Sequence, residues 1–316
     1  MSSSLAQRLS MLSEAAPLWL DGPTGTQLEA HGFRSHPRLW TALASIDDPE
    51  LLASVHRRYL QAGADCVTAN TFRTTAFAAQ LAGVDVARMR ACARQAVHIA
   101  RQVCQEFPSR FVLGSMAPLA DCYQPDRVPA DCVLEREHAR NVDWLLEAGC
   151  DGLLLETQGV AREALCAVRS ARRLWDGPIL VSFLPDDRGD ALLGGDDLLQ
   201  TARACLDLGA SAILLNCAHV AVILRALRCL SALGSPTDRA PIWLGAYPNA
   251  AHRVKQAGQW LWQADPDAAR RLPLHTRQLA AHGALIVGAC CGFGPDDLAQ
   301  MIAAWTPDRM LGPSAP

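Results

Sequence analysis

Short apolar runs alternate with longer amphipathic segments along the sequence, and this alternation limits the fold more than any other feature. The runs are continuously apolar rather than apolar at every second residue, which is typical of strands buried on both faces of a parallel sheet. Eight strands that are each followed by a helix predict a (β/α)8 TIM barrel with its active site at the carboxyl ends of the strands. The predicted strands are 18–20, 66–69, 111–114, 152–155, 179–183, 212–215, 242–245 and 284–288.

Glycines at matching places separate predicted helices from the strands that follow them. Glycine adopts the left-handed conformation that ends a helix at little steric cost. Gly63, Gly149, Gly209 and Gly283 each lie shortly before a predicted strand, so we expect each to close a helix there. The predicted helices are 51–60, 86–106, 132–148, 162–174, 198–208, 220–230, 274–282 and 296–305.

Length and composition allow one large core. We expect a single domain over residues 1–316, with the barrel core over about 15–306, because half of the 316 residues are hydrophobic. The formal net charge of -3 gives no electrostatic reason to expect nucleic acid or an anionic membrane as a partner. No segment approaches the roughly 20 consecutive apolar residues of a membrane span, and no apolar signal segment opens the chain. We therefore expect a cytoplasmic protein with a small, neutral or zwitterionic substrate.

Three excursions after predicted strands, 121–129, 185–195 and 249–265, all fall on the expected active-site face. The last of them contains Trp260 and Trp262. We interpret it as either a lid over the site or part of an interface in a homo-oligomer, and the sequence does not choose between them.

Three of the twelve cysteines lie at the carboxyl ends of two predicted strands: Cys217, Cys290 and Cys291. A barrel brings strand ends together, and three thiolates hold Zn²⁺ while leaving one position open for a substrate. The sequence therefore predicts a catalytic zinc site. In the alternative interpretation, Cys217 is a buried thiol and the Cys290-Cys291 pair only packs or forms a vicinal disulfide. We expect His219 to cap a helix rather than bind the metal, and most other cysteines to be free buried thiols.

Polar residues also follow the predicted strands, and two of them are acidic. Asp21 either caps the next helix or binds a cationic group, since aspartate is a favoured cap. Glu156 follows three leucines, and because glutamate is a poorer cap we interpret it as functional. Glycines and threonines beside them can offer main-chain N–H groups to a carboxylate. Together these residues are expected to hold both ends of an α-amino acid.

The predicted chemistry follows from charge. Three thiolates on Zn²⁺ give a centre of net charge -1, which activates water poorly but holds a fourth thiolate well. A thiolate in a dry site attacks a soft carbon such as a methyl group on sulfonium or ammonium. We therefore predict methyl transfer to a thiol, with no general base required.

At the polar residues and cysteines that follow its predicted strands, the chain resembles the homocysteine S-methyltransferase family. The resemblance is carried by Asp21-Gly-Pro-Thr-Gly-Thr26, Thr68-Ala-Asn-Thr-Phe72, Gly114-Ser-Met-Ala-Pro118, Glu156-Thr157, Asn216-Cys217 and Gly288-Ala-Cys-Cys-Gly-Phe293. It implies zinc held by the three cysteines, homocysteine as the fourth ligand, and methionine as the product. It also implies that Asp21 and Glu156 lie near the amino group of homocysteine. The remaining substrate-binding positions that we take from it are Gly22, Asn70, Thr71 and Asn216.

Two departures from the family pattern concern the methyl donor. Pro23 follows Gly22 and removes one main-chain donor, and Gly292-Phe293 replaces the Arg-Thr pair of S-methylmethionine enzymes. On length the chain is similar to the stand-alone enzymes that use S-methylmethionine or S-adenosylmethionine, which we favour. Betaine or another methylated donor, another acceptor, or a binding protein without turnover are the alternatives. Four aromatic residues either surround an onium cation or pack at the barrel mouth: Phe72, Tyr123, Tyr247 and Phe293.

Overall fold

The computed structural model describes residues 4–234, 242–256 and 259–305, and for 252–256, 259–262 and 264 it describes the backbone alone. The described strands are β1 (Leu18–Trp19), β2 (Cys66–Ala69), β3 (Phe111–Met116), β4 (Gly152–Gln158), β5 (Ile179–Phe183), β6 (Ala212–His219), β7 (Trp243–Asn249), β8 (Ala251–Gln256), β9 (Gln259–Ala264) and β10 (Ala284–Val287). The described α-helices are α1 (Leu5–Ser10), α2 (Thr24–Ala30), α3 (Ala44–Asp47), α4 (Pro49–Ala62), α5 (Ala76–Ala82), α6 (Val86–Cys104), α7 (Asp131–Ala148), α8 (Ala161–Leu174), α9 (Leu198–Asp207), α10 (Val220–Leu230), α11 (Ala268–Ala281) and α12 (Pro295–Ala304).

Eight parallel strands form a nearly closed barrel in the order β1, β10, β7, β6, β5, β4, β3 and β2, with helices around it. The apolar runs of the sequence form these strands because each strand is covered by helices outside and by side chains of the barrel interior inside. The predicted (β/α)8 fold is therefore confirmed.

The seam between β1 and β2 is closed by carboxylates as well as by the main chain. A single isolated bridge joins the two strands, whereas four pairs of residues join β2 to β3. The main-chain N–H of Trp19 donates to Asp65 Oδ2 at 3.0 Å, and that of Thr68 donates to Asp21 Oδ2 at 2.8 Å. Side chains thus supply hydrogen bonds that a longer β1 would supply through its main chain.

The four punctuating glycines adopt the conformation that we predicted. Their φ angles are 111° for Gly63, 85° for Gly149, 98° for Gly209 and 81° for Gly283. Gly63 and Gly149 are the C-caps of α4 and α7. Gly209 and Gly283 follow the C-caps of α9 and α11 by one residue.

Several helices and one hairpin were not predicted from the sequence. The short helices α2 and α5 lie in segments for which the sequence pattern predicts no helix. Helix α11 begins six residues earlier than predicted, at Ala268 rather than 274, and runs through Pro273. Part of the 249–265 insertion forms the antiparallel pair β8 and β9. The side chains of Trp260 and Trp262 lie outside the described residues.

The apolar core has two main parts, one on each side of the barrel wall. The larger lies between the strands and the helices, and the smaller fills the barrel interior. Gly245 of β7 has no room for a side chain, because a Cβ there would lie 2.5 Å from the main-chain oxygen of Ile286 on β10 and 2.8 Å from Cγ of Leu214 on β6. The glycine therefore permits close packing of three neighbouring strands. In the described part of the chain, no helix combines the length and the apolarity needed to cross a bilayer.

Candidate functional site

A cavity of about 540 Å³ opens at the carboxyl ends of the barrel strands. This volume is within the range of small-molecule sites. Its lining combines carboxyls, thiols and aromatic rings from the ends of several strands, among them Asp21, Trp40, Phe72, Tyr123, Glu156, Cys217, Tyr247, Cys290 and Cys291.

Three thiols form a cluster at the floor of this cavity. Cys217 belongs to β6, and Cys290 and Cys291 follow β10, where the chain turns so that both adjacent side chains reach the same centre. The three Sγ atoms lie within 4.8 Å of one another, and Cys217 Sγ is 3.1 Å from Cys290 Sγ. Tetrahedral zinc with Zn–S bonds of about 2.3 Å places its sulfurs about 3.8 Å apart. The donor set therefore fits such an ion, and the cluster could hold a metal.

The thiols influence one another's ionisation. Hydrogen bonding from Cys290 and Cys291 holds the pKa of Cys217 well below its ordinary value. The same bond to Cys217 is the first cause that raises the pKa of Cys290 and of Cys291. A thiolate that forms in this cluster is therefore stabilised by hydrogen bonds from its neighbours.

The main chain is strained at this site. Three cavity-lining residues other than glycine have positive φ: Trp40 at 50°, Thr157 at 61° and Cys217 at 55°. Among described non-glycine residues the one other such case is Ser109, outside the cavity. Left-handed backbone is unfavourable for these residue types, above all for a β-branched threonine. Surrounding contacts must therefore enforce the conformation at the ends of β4 and β6.

Asn216 supplies the contacts that hold Thr157. Its Oδ1 accepts hydrogen bonds from the main-chain N–H of Thr157 at 3.1 Å and from Ser182 Oγ at 2.8 Å. Its Nδ2 donates to Thr157 Oγ1 at 3.0 Å, and that hydroxyl lies 3.9 Å from Cys217 Sγ. The amide of Asn216 is therefore engaged within the protein, and its side chain is fully buried.

Two carboxyl side chains line the same cavity: Asp21 is buried and Glu156 is half-buried. Asp21 does not cap α2; instead it accepts hydrogen bonds from Thr68 N at 2.8 Å and Thr68 Oγ1 at 2.9 Å. Glu156 accepts hydrogen bonds from Ser115 Oγ and, at 3.4 Å, from the Tyr247 hydroxyl. Burial raises the pKa of Asp21 to about 8 and that of Glu156 to about 7. An ammonium group between them would favour their ionised forms.

The other predicted binding positions differ in what they offer to a ligand. Gly22 lines the cavity and packs on Tyr59, since a Cβ on Gly22 would lie 2.6 Å from that ring. Asn70 also lines the cavity, but its amide exchanges hydrogen bonds with Thr41. The Thr71 hydroxyl is buried and bonds the main chain of Ser115 on β3.

Some lining residues were missed or assigned differently from the sequence. The Tyr123 hydroxyl hydrogen-bonds Cys217, a contact that no sequence pattern indicates. Trp40 and Arg73 also line the cavity: Trp40 lies in the connection between α2 and α3, far from any strand end, and Arg73 lies one residue beyond the motif that ends at Phe72. Phe293 packs in the core between sheet and helices, whereas Phe72 and Tyr247 line the cavity. His219 accepts the N–H of Ala221 at 3.3 Å and so caps α10.

Comparison with known proteins connects this cavity to one group of enzymes. The sequence model of homocysteine S-methyltransferase matches residues 18–305. Homocysteine S-methyltransferase of Escherichia coli (strain K12) is 28% identical over 311 residues, covering 93% of this chain and 96% of that protein. Methionine synthase of Mycobacterium leprae (strain TN) is 31% identical over 305 residues, which are 90% of this chain but 24% of that protein.

A solved structure is similar over nearly the whole barrel. The crystal structure of the metallated form of the homocysteine methyltransferase MmuM from Escherichia coli superposes with a TM-score of 0.76 at 28% identity. The match covers 91% of this chain and 96% of that chain.

Proposed function

Because this chain belongs to the homocysteine S-methyltransferase family, we propose that it is a zinc-dependent enzyme that methylates homocysteine to methionine. The methyl donor is a sulfonium or ammonium compound, and we favour S-methylmethionine or S-adenosylmethionine. The observation that carries the proposal is one cavity that combines three clustered thiols with two carboxyls, those of Asp21 and Glu156. We assign the reaction to the cytoplasm, since all twelve cysteines are free thiols.

Cys217, Cys290 and Cys291 are the proposed metal ligands. A bound zinc ion would hold the homocysteine sulfur as a thiolate near neutral pH. Asp21 and Glu156 would bind the homocysteine ammonium, because neither carboxyl has a cationic partner among the described residues and burial raises the pKa of both. A positively charged ligand would supply that partner. Gly22 borders this position through its main chain. Asn70, Thr71 and Asn216 hold the strand ends that carry these groups.

The methyl transfer is a single displacement. The homocysteine sulfur forms a bond to the methyl carbon while the bond from that carbon to the donor heteroatom breaks. The electron pair of the broken bond stays on the donor, which leaves as a neutral thioether or amine, and the thiol proton goes to solvent. The protein contributes by aligning the two substrates and by excluding water from the reacting atoms.

A donor panel tests the proposal. Zinc-loaded protein is incubated with homocysteine and S-methylmethionine, S-adenosylmethionine or betaine, and methionine is measured over many turnovers. Cys217→Ala and Cys290→Ala should lose bound zinc and methionine formation together. Cys132→Ser, at an exposed thiol of α7, should keep both. A Cys217→Ala protein that retained zinc and activity would contradict the assignment.

A further inference from the structure

Arg73 is fixed in the cavity wall by contacts from two different loops. Its guanidinium lies 5.3 Å from the centre of the Phe72 ring, and its Nη1 donates to the main-chain oxygen of Ala120 at 2.7 Å. Phe72 in turn meets Trp40 edge to face at 6.2 Å. The loop after β2 thus holds the arginine against the loop after β3, on the aromatic side of the cavity.

In the described part of the chain, no carboxylate oxygen lies within 4.0 Å of a nitrogen of the Arg73 guanidinium. Asp121 also lines the cavity, but its two oxygens accept hydrogen bonds from Tyr123 N at 3.0 Å and Gln124 Nε2 at 2.7 Å. Glu29 accepts hydrogen bonds from Ser35 and from the Trp40 indole. Asp121 and Glu29 therefore have neutral hydrogen-bond partners, and the Arg73 guanidinium lines the cavity without a carboxylate partner.

A guanidinium with one N–H on a carbonyl and one face on an aromatic ring keeps further N–H groups for a ligand. Carboxylate is the group that matches this planar fork best. A bare onium cation would be repelled by Arg73, whereas an onium that also carries a carboxylate would be attracted. The same cavity contains the thiol cluster, so such a donor can direct its methyl group to the thiols and its carboxylate to Arg73.

We propose that Arg73 binds the carboxylate of the methyl donor and so restricts the enzyme to onium donors that are also carboxylic acids. This inference rests on the proposed methyltransferase function. It assigns to Arg73 a role in specificity that is separate from the binding of homocysteine by Asp21 and Glu156.

The test compares each acid donor with its own carboxamide. S-methylmethionine and its carboxamide carry the same sulfonium group, but only the acid has the negatively charged carboxylate that Arg73 would contact. S-adenosylmethionine and betaine are each compared with their own carboxamide in the same way. Dissociation constants are measured by calorimetry, and kcat/KM is measured wherever methionine forms. Wild-type protein should favour the acid about 10- to 100-fold, and Arg73→Gln should remove that preference.

Two controls separate the possible failures. Arg38 is exposed, lies outside the cavity lining and donates to the Leu81 carbonyl at 2.7 Å, so Arg38→Gln should leave the acid preference unchanged. The KM of homocysteine should not change in Arg73→Gln. An unchanged acid preference in that variant, or a raised KM of homocysteine instead, overturns the inference about Arg73. If no acid donor binds wild-type protein or yields methionine, the proposed function fails as well.

Discussion

At the scale of single residues, Asn216 shows how the site is kept in an unfavourable conformation. Thr157 has a left-handed backbone, and Asn216 bonds both its N–H and its hydroxyl. The amide thus opposes strain of the order of 1–3 kcal/mol. We had predicted Asn216 as a substrate contact from its place beside Cys217, and its bonds within the protein instead favour a positioning role.

Asn216→Ala should lower the free energy of unfolding by roughly 3 kcal/mol, because it leaves the buried N–H of Thr157 without its acceptor and removes one hydrogen-bond partner from the hydroxyls of Thr157 and Ser182. Urea denaturation measures the change. Asn141→Ala is the matched control, since Asn141 is equally buried but its amide has no partner among the described residues. Equal losses in the two variants would contradict a holding role for Asn216.

Asp21 should make stability depend on pH in a definite direction. Its carboxyl has a pKa of about 8 in the fold against 3.8 in an unfolded chain, because burial disfavours the charged form. Between these values the folded state holds a proton that the unfolded state has released, so stability falls as pH rises.

Asp21→Asn removes this proton from both states. As pH rises from 5 to 8, the free energy of unfolding should fall less in the variant than in wild-type protein. The difference between the two falls is at most on the order of 4 kcal/mol. Denaturation midpoints across this range, without substrate, give the comparison. Parallel pH profiles for the two proteins would show that Asp21 does not carry a raised pKa.

At the scale of elements, a repeated motif ties three strands, β2, β4 and β6, to the strand before each of them. Two residues after a punctuating glycine, Asp65, Asp151 and Ser211 each donate their N–H to a main-chain oxygen of the preceding strand. Their side chains accept an N–H from the same residue of that strand: Trp19, Val112 and Ile179 respectively. The motif fixes the start of one strand against its neighbour.

Asp65→Ala should destabilise the protein more than Asp151→Ala, although the two aspartates make the same pair of bonds. β1 and β2 share one isolated bridge, whereas β3 and β4 share four paired residues. Asp65 also pairs with Arg110 at 2.9 Å, so its loss leaves a partly buried cation without its partner. We expect a loss of about 3 kcal/mol for Asp65→Ala, measured by urea denaturation. A larger loss for Asp151→Ala would contradict the weak seam.

The strands, the helices and the seam between β1 and β2 also show what a sequence can predict and what it cannot. The glycine positions and the apolar runs specify strand and helix order, because both depend on local chemistry. Helix α5 was missed because its Ala-Phe-Ala-Ala-Gln-Leu-Ala sequence has no polar face to mark a period. The carboxylate bonds of the seam were missed because they depend on side-chain directions, and the sequence does not specify those.

At the scale of the whole molecule, metal binding and folding should be linked. Thiols from β6 and from the segment after β10 lie far apart along the chain, so the unfolded state has no preformed site for the ion. Sequence reasoning placed these three cysteines at strand ends, and barrel topology alone brings such ends together. The left-handed turn at Cys217, which directs its sulfur, was beyond prediction because cysteine disfavours it.

Zinc at about 1,000 times its dissociation constant should therefore stabilise the protein by about 4 kcal/mol relative to chelator-treated protein. Thermal melting with and without the ion measures the shift. Cys290→Ala should lose it, whereas Cys132→Ser should keep it. A wild-type melting temperature that does not respond to zinc would contradict a site formed by folding.

The packing of Gly245 connects the proposed metal site to β7, a strand that contains none of the proposed ligands. β7 lies between β6 and β10, and its glycine lets the two outer strands approach it closely. A side chain at residue 245 would press on Ile286 of β10 and Leu214 of β6, the two strands that lead to the three thiols, so a position that touches no sulfur bears on how those strand ends meet.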